Sequence, residues 1–520
     1  LIVIKVIIYQ NLIVSVNTTN QINNCEMLTI KQIVADLPAH QDQNLTAQGW
    51  FRYIRKQKNQ AFAALSDGTS FQKLQCVFLK KDLSDDLWQT ISSLDNGSSV
   101  RVTGTLVESP AKGQTHELKV ETLDVFGQCD QNEYPLIFKK GFKMDHLRQY
   151  LHLRPRVEIL QCIMRIRSTL DFATHQFFQS QGYLRLHTPL ITSSDCEGAG
   201  EVFEVSSDSR YKMSLMAEPH RPPTKNEQEK KDRAAALEAK RLFFGKKAFL
   251  TVSGQLDGEA YATAMSRIYT FGPTFRAENS VTYRHLAEFW MIEPEMAFMD
   301  LKQDMQVAQD YVQFCLQQVL EKHQDDLLYL QAKQENPSGG LAGQGLIDRL
   351  TRIVESDFPR VSYTEAIELL QPHATKFEEQ EIVWGMDLAS EHEKFLVDHC
   401  FDGQPIIVYN YPSAIKSFYM YENEPDDQGR KTVAAMDMLV PGIGELIGGS
   451  QREDRYPLLL EKIKAAGLDP DDYQEYLDLR KYGNVPHSGF GLGFERLVML
   501  ATATHHIRDT IPFPRAVGLC

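Results

Sequence analysis

The chain has 520 residues, room for more than one domain, and a hydrophobic share of 42%, enough to close a sizeable core. Its formal net charge of −14 argues against a wholesale nucleic-acid coat but leaves room for a local basic face. The eight cysteines form no CxxC pair and no regular spacing, so neither a disulfide framework nor a zinc site is expected, and a reducing cytoplasm fits best.

Residues 1–27 open without methionine, and their apolar run is broken by Lys5, Gln10 and Asn11 short of a clean membrane span. No small-residue cleavage site follows, so the segment is a doubtful leader and Met27 the expected start; an anchor or a signal peptide is the alternative. No membrane association is expected. The sequons at Asn44 and Asn96 are short patterns of the kind that arise by chance.

Residues 28–128 read as five short strands of period-two alternation, "NLTAQGWFRYIRKQ", "AFAALSDG", "LQCVFLK", "SSVRVTGTLVES" and "HELKVETLDVFG". A helix-like "DDLWQTISSLD" falls between the third and fourth, which is how an OB-fold barrel is laid out. Residues 129–150, with Pro135 and Gly141, read as a hinge. From 151 to 520 the texture changes. "RVEILQCIMRIRSTLDFATHQFFQSQG" has helical spacing and stops at Gly182, and "YLRLHTPLIT" follows as a strand. Residues 206–243 are polar and charged, a surface insertion. Further strands are expected at "AFLTVSGQL", "IYTFGPTFRAE", "FWMIEPEMAF", "PIIVYNYP", "TVAAMDMLVP" and "GELIGGSQR". Without a regular βαβ rhythm they predict an α+β domain on a mostly antiparallel sheet.

The stretch "TFGPTFRAENSVTYRHLAEFWMIEPEMAF" loads an otherwise apolar strand pair with charge. Arg276 and Glu278 share a face by alternation, and Phe289 on the next strand can lie beside them. A guanidinium fits a phosphate bidentately, a carboxylate accepts from an amino group and a ring stacks on a base, so the trio suits a nucleotide. A salt-bridged hairpin is the structural alternative. "PGIGELIGG" lacks the strand-to-helix setting of a dinucleotide loop.

"FRAENSVTYRHLAEF", "GFGLGFERL" and "GYLRLHTPLI", the last with Pro189, resemble motifs 2, 3 and 1 of the class II aminoacyl-tRNA synthetases. The preceding barrel is similar to that of the subgroup charging aspartate, asparagine and lysine. "SDCEGAGEVFEV", "FLTVSGQLDGEAYA", "AMDMLVPGIGELIGGSQRE" and "YGNVPHSGFGLGFERL" resemble its asparaginyl members, over residues 28–520. The resemblance implies attachment of asparagine to tRNA-Asn with ATP, through an adenylate, by a homodimer built on motif 1. It implies Arg276 on the α-phosphate, Arg496 on the γ-phosphate, Glu278 and Phe289 on adenine, and Arg284 and His285 near the triphosphate or the tRNA end. Asp437 and Glu445 match the paired Mg²⁺ ligands, Glu197 and Gln255 the ammonium site, and Arg452 the arginine that meets the side-chain oxygen. Arg55, Phe62 and Gln75 match the anticodon-reading positions. Aspartyl enzymes carry a lysine where "SGQLDGE" has Gly258, followed here by Glu259, which favours a neutral carboxamide over a carboxylate. An aspartyl enzyme of relaxed tRNA choice, a lysyl enzyme and a non-catalytic RNA-binding paralogue are the alternatives. The last usually loses a motif arginine, and both are present.

Overall fold

Alternating apolar and polar residues bury one face of each early strand. In the computed structural model, which describes residues 28–111, 114–136, 143–193, 201–206, 242–280, 282–334 and 345–519, the chain divides into two compact units, Leu1–Arg154 and Pro155–Cys520. In the first, β1 (Asn44–Lys56), β2 (Gln60–Ser66), β3 (Leu74–Leu79), β4 (Ser99–Glu108) and β5 (His116–Gly127) close a barrel in the order β1-β2-β3-β5-β4. Only β3 and β5 pair in parallel. Its inside is filled by alternate residues such as Ala47, Phe51, Ala63, Leu65, Cys76, Phe78, Val102 and Leu118. Helix α1 (Ile30–Ala35), held by a capping box between Thr29 and Gln32, inserts Ile30 and Ile33 into that core. Helix α2 (Asp85–Ser93) lies between β3 and β4 as the pattern predicts, N-capped by Ser84. The expected hinge carries the short helix Met144–Arg148, while residues 137–142 lie outside the described residues.

The second unit is built on an eight-stranded sheet. Its strands are β6 (Leu184–Leu186), β10 (Arg267–Phe275), β11 (Glu288–Ala297), β12 (Arg360–Ser362), β13 (Ile406–Pro412), β14 (Thr432–Val440), β15 (Gly444–Gln451) and β16 (His487–Gly493). They run β12-β13-β14-β15-β16-β11-β10-β6, antiparallel except at the two edge pairs. Helices α3 (Glu158–Ser180), α5 (Leu301–Lys322) and α8 (Phe494–Thr502) present buried apolar stripes.

Two expectations need correction. "YLRLHTPLIT" is not one strand: β6 ends at Leu186, and β7 (Ile191–Thr192) joins a separate three-stranded sheet with β8 (Glu204–Val205) and β9 (Ala248–Leu250). "AFLTVSGQL" is a strand only through Leu250, and Gln255 opens helix α4 (Gln255–Met265), with Gly254 at its N-cap. The apolar positions 252, 256 and 260 are spaced for a helix as well as for a strand, and short apolar runs do not separate the two. Most of the polar insertion, residues 207–241, lies outside the described residues, as do residues 1–27.

Barrel closure is tightest where β4 crosses β5 at a register shift, and a Cβ on Gly104 would fall on the Lys119 carbonyl and 2.8 Å from the Val120 Cα. Both obstacles are backbone, so Gly104→Ala is expected to cost the barrel about 1–3 kcal/mol, read as a lower urea midpoint. A midpoint equal to wild type refutes this close approach.

Candidate active site

The middle of the large sheet has been cleared of side chains on one face. Alternation along β11 puts Phe289, Met291, Glu293 and Glu295 on one side. Opposite them, on β16, stand Gly489, Gly491 and Gly493. A Cβ on Gly489 would sit on the Glu295 carboxylate, and one on Gly491 would be 2.8 Å from the Met291 methyl. The β11 side chains can lie flat only because β16 has none there.

At one end of this row is an open cleft lined by Arg276, Glu278, Arg284, His285, Phe289, Glu445 and Arg496, with Gly491 and Gly493 as its floor. Arg276, just past β10, continues the ladder through its N–H to the Ala287 carbonyl at 3.0 Å. Its guanidinium stands 5.5 Å over the Phe289 ring and 3.9 Å from Glu278, whose other oxygen is 3.6 Å from His285 Nε2. The loop between β10 and β11 folds back on itself: His285 Nδ1 lies 2.9 Å from Ser280 Oγ and 2.6 Å from Thr282 Oγ1, and Arg284 donates to Ser390 Oγ at 2.7 Å. Arg496, on the first turn of α8, donates to the Glu445 carbonyl at 2.8 Å and to Glu445 Oε2 at 3.1 Å. Beside it Glu495, buried, accepts from the Trp290 N–H at 3.0 Å and pairs with Arg167 of α3 at 2.8 Å, so the arginine beside it starts from a fixed helix end.

Glu445 reaches this cleft through an irregularity. The register between β14 and β15 shifts between Met438 and Leu439, leaving Leu446 as an extra residue. That turns Glu445 to the face of Gly448 and Asp437, which are paired across the strands. Asp437 Oδ2 accepts from the Lys416 ammonium at 2.7 Å, itself 4.0 Å over the Tyr411 ring. Glu393, on α6 (Ser390–Phe395), accepts from the Glu445 N–H at 3.1 Å, and burial with the nearby Glu445 charge pushes its carboxyl up to about 7.

At the other end of the row is a dry charge network. Arg452 is 3% exposed; its Nε donates to Glu295 at 3.2 Å, its Nη2 to the same carboxylate, and its Nη1 to Ser450 Oγ at 3.0 Å. Glu259 of α4 lies 3.8 Å from the Arg452 Nε. Glu259 is fully buried and filled by this chain: Arg480 at 2.6 Å, on α7 (Gln474–Lys481), His487 at 2.9 Å, and the Tyr476 hydroxyl and Gln255 amide, each at 3.0 Å. Burial pushes its carboxyl up, but Arg480, His487 and Arg452 together outweigh burial and hold it well below the usual range. Burial and the neighbouring Glu259 and Glu293 push the Glu295 carboxyl up, while the Arg452 guanidinium against it pulls it down. Between the two ends Glu293 accepts from the Thr270 hydroxyl at 2.9 Å, from the Gly254 N–H at 3.0 Å and from Ser253 Oγ.

Arg276, Glu278, Arg284, His285, Phe289, Glu445 and Arg496 thus share one cleft, Asp437 adjoins it, and Gln255, Glu259 and Arg452 gather at the dry end. Glu197 lies outside the described residues. Sequence reading missed Glu293, Glu295, Lys416 and Arg480; only the alternation along "FWMIEPEMAF" held a signal, for the first two. Gly258 also needs correction, because its Cβ would meet Ile268 at 3.3 Å and the Glu295 side chain at 3.6 Å. A side chain there grows from a helix toward Glu295, not from a strand beside Glu259. In the barrel, Tyr53, Arg55, Phe62 and Gln75 share the outer face: Arg55 is opposite Phe62, and the Tyr53 hydroxyl donates to Gln75 at 2.7 Å.

Replacing Arg480 by Met strands Glu259 as a buried charge and is expected to cost about 3–5 kcal/mol in chemical denaturation. A group held low stabilises above its unfolded value, here 4.5, and loses that contribution as acid protonates it. The gap between wild type and Arg480→Met therefore narrows below that pH; a gap that widens there overturns the assignment.

Comparison with known proteins follows the same lines. Residues 143–517 match the family model described as tRNA synthetases class II (D, K and N), and residues 45–126 match an OB-fold nucleic acid binding domain. The chain is 47% identical over 495 residues to the asparagine–tRNA ligase of Treponema denticola, covering 94% of this chain and 98% of that protein. It is 48% identical over 478 residues to the chloroplastic/mitochondrial asparagine–tRNA ligase of Arabidopsis thaliana, covering 91% and 80%. The crystal structure of asparaginyl-tRNA synthetase from Pyrococcus horikoshii complexed with asparaginyl-adenylate superposes with a TM-score of 0.78 at 31% identity, covering 96% of this chain and all of that one. The glycine-cleared sheet face carries an open charged cleft at one end and a buried arginine at the other, and the chain belongs to the class II tRNA synthetases and, among them, to the asparagine–tRNA ligase family.

Proposed function

We propose that the protein joins asparagine to tRNA-Asn in two steps at the β11 row. The observation that carries this is the run from Phe289 to Glu295, which leads without interruption from the phosphate-binding cleft to Arg452. ATP lies at the open end, its adenine between Phe289 and Glu278 and its α-phosphate on Arg276. Arg496 takes the γ-phosphate, and Arg284 and His285 close over the triphosphate or the RNA end. The amino acid lies over Glu293, with its side-chain oxygen at the two N–H groups of Arg452 not engaged by Glu295 and Ser450. Gln255, and Glu197 by resemblance, hold its ammonium. Glu259 serves from behind, steadying Arg452 and Gln255.

Asparagine's carboxylate attacks the α-phosphorus in line; a P–O bond forms, the bond to the bridging oxygen breaks and pyrophosphate leaves. The terminal ribose hydroxyl of the tRNA then attacks the adenylate carbonyl, and AMP leaves. Neither step needs a protein nucleophile. Positioning and charge stabilisation supply the rate, with Arg276 meeting charge that develops on the α-phosphoryl oxygens.

Asp437 and Glu445 fit a divalent cation. Lys416 and Arg496 take one oxygen of each, leaving the other pair of hard oxygens converging beside the cleft. No group of three ligating side chains is formed among the described residues, as suits an ion that shares its coordination with phosphate. Mg²⁺ bound there would neutralise the departing pyrophosphate.

The outer barrel face with Tyr53, Arg55, Phe62 and Gln75 suits a splayed anticodon base, a ring to stack on and polar groups for its edge. A homodimer is supported by apolar side chains left bare along the motif 1 segment: Phe172 on α3 is 65% exposed, Leu184 43% and Ile191 44%. A cytoplasmic setting accords with the cysteine thiols at 76, 162, 315 and 400; among the described residues no helix is long and apolar enough to cross a membrane.

ATP–pyrophosphate exchange with asparagine, aspartate and lysine side by side tests the activity, and asparagine alone is expected to support it. Arg276→Ala should lower exchange by about a hundred- to a thousand-fold while the thermal midpoint holds, whereas Arg496→Ala should chiefly raise KM for ATP. Wild-type exchange in Arg276→Ala would sink the assignment. In sedimentation at micromolar concentration the chain should run as a dimer, and Phe172→Asp should shift it toward monomer; a wild-type chain that stays monomeric removes the dimer from this reading.

A further inference from the structure

Packing and backbone conformation explain most glycines of β15 and β16, but not Gly448. Its neighbour Gly449 must lack a side chain, because a Cβ there would meet the Met436 methyl and the Gly489 carbonyl oxygen at 2.8 and 2.9 Å. Gly444 has φ +86°, a left-handed conformation that side chains resist. Gly448 has neither constraint: it lies in regular pairing with Asp437 and its φ is not positive. A Cβ built on it would stand 3.2 Å from Glu445 Oε1 and 3.5 Å from Asp437 Oδ1. Beyond its chain neighbours, no other heavy atom of the described residues comes within 4 Å of that point.

Those two oxygens face away from the cations that hold their carboxylates, with the Tyr411 hydroxyl a further neighbour of Asp437. Asp437 Oδ2 is held by Lys416 at 2.7 Å and Glu445 Oε2 by Arg496 at 3.1 Å. Two cations thus turn two carboxylates so that their remaining oxygens face one empty volume, and the extra residue Leu446 puts Glu445 on the correct face to take part. Glycine in a strand interior loses packing and costs conformational entropy, so a glycine the fold does not need calls for another cause.

We propose that Gly448 is a binding residue of the metal corner, kept without a side chain because a Cβ there would crowd the hydrated cation shared by Asp437 Oδ1 and Glu445 Oε1. Lys416 and Arg496 are its positioning residues, each pinning the far oxygen of one ligand. The inference rests on the reading that Asp437 and Glu445 hold the divalent ion that accompanies ATP.

The test is Gly448→Ala, with Asp437→Asn and Glu445→Gln as controls. Mn²⁺ binding is followed by electron paramagnetic resonance in the presence of asparagine and α,β-methylene-ATP, which cannot react. Gly448→Ala is expected to weaken Mn²⁺ binding at least ten-fold while asparagine affinity without metal and the thermal midpoint stay at wild-type values; both controls should lose the ion. Wild-type Mn²⁺ affinity in Gly448→Ala with both controls impaired overturns the role of Gly448 and leaves the metal corner standing. Wild-type affinity in all three shows that the ion binds elsewhere, and both readings fall. Should Gly448→Ala not fold, the native enzyme decides: Fe²⁺ with ascorbate and peroxide, in the same ternary complex, should cut the backbone at residues 447–449, and the absence of a cut there overturns the proposal.

Discussion

The buried guanidinium of Arg452 is the interaction on which the catalytic unit's arrangement depends. Removing a cation from water costs several kcal/mol, and that cost is met only where counter-charges and acceptors surround it. Glu295 must therefore lie flat beneath it, which requires Gly489 on the next strand. Glu259 must come from α4, and a buried Glu259 needs donors of its own, found in Arg480, His487, Tyr476 and Gln255. One charge placed in the core thus commits residues from a helix between β9 and β10, three strands of the sheet and a helix after β15. Removing Arg452 or Arg480 leaves a buried carboxylate without its main counter-charge, and so the network favours one register of β11 against β16.

The opposite end of the row follows different rules. Arg276, Glu278 and His285 are partly exposed and sit 3.6–3.9 Å apart, too loosely to count as strong bonds, so their pairing contributes little to stability. Weak pairs of this kind exchange at little cost. The row along β11 therefore runs from half-exposed, loosely paired charges at one end to buried, tightly paired ones at the other, and the proposed function divides along the same line.

The grouping of Arg276, Glu278 and Phe289 was legible in the sequence because it is built from a short-range regularity, while Arg496 entered through the resemblance of "GFGLGFERL" to motif 3. Strand alternation brings Arg276 to Glu278 and Phe289. The barrel was legible for the same reason, from alternation broken by turns. The dry end was not. Arg480 and Glu259 are 221 residues apart, and nothing in either segment announces the other. The start of helix α4 was misread as strand because the apolar positions 252, 256 and 260 satisfy both periods. Glu445 reaches Gly448 only through a register shift, which strict alternation places on the wrong face.

The geometry of Gly258 changes the physical basis of side-chain choice. A lysine at this position would extend toward Glu295, not into a neutral pocket beside Glu259. Glu295 already takes the Nε and Nη2 of Arg452, so the second cation would compete for a carboxylate that has both oxygens in use. Each guanidinium donor released by that competition becomes available to the substrate, and the local charge rises by one. With Gly258 there is no competitor: Arg452 keeps its fork on Glu295 and offers only its remaining donors, enough for the carbonyl of a carboxamide. An aspartate carboxylate in the same place would add a charge that nothing offsets, close to Glu293 and Glu295. In the proposed placement of the amino acid, preference for the amide then comes from how fully Arg452 is occupied, set by a residue that touches neither the arginine nor the substrate.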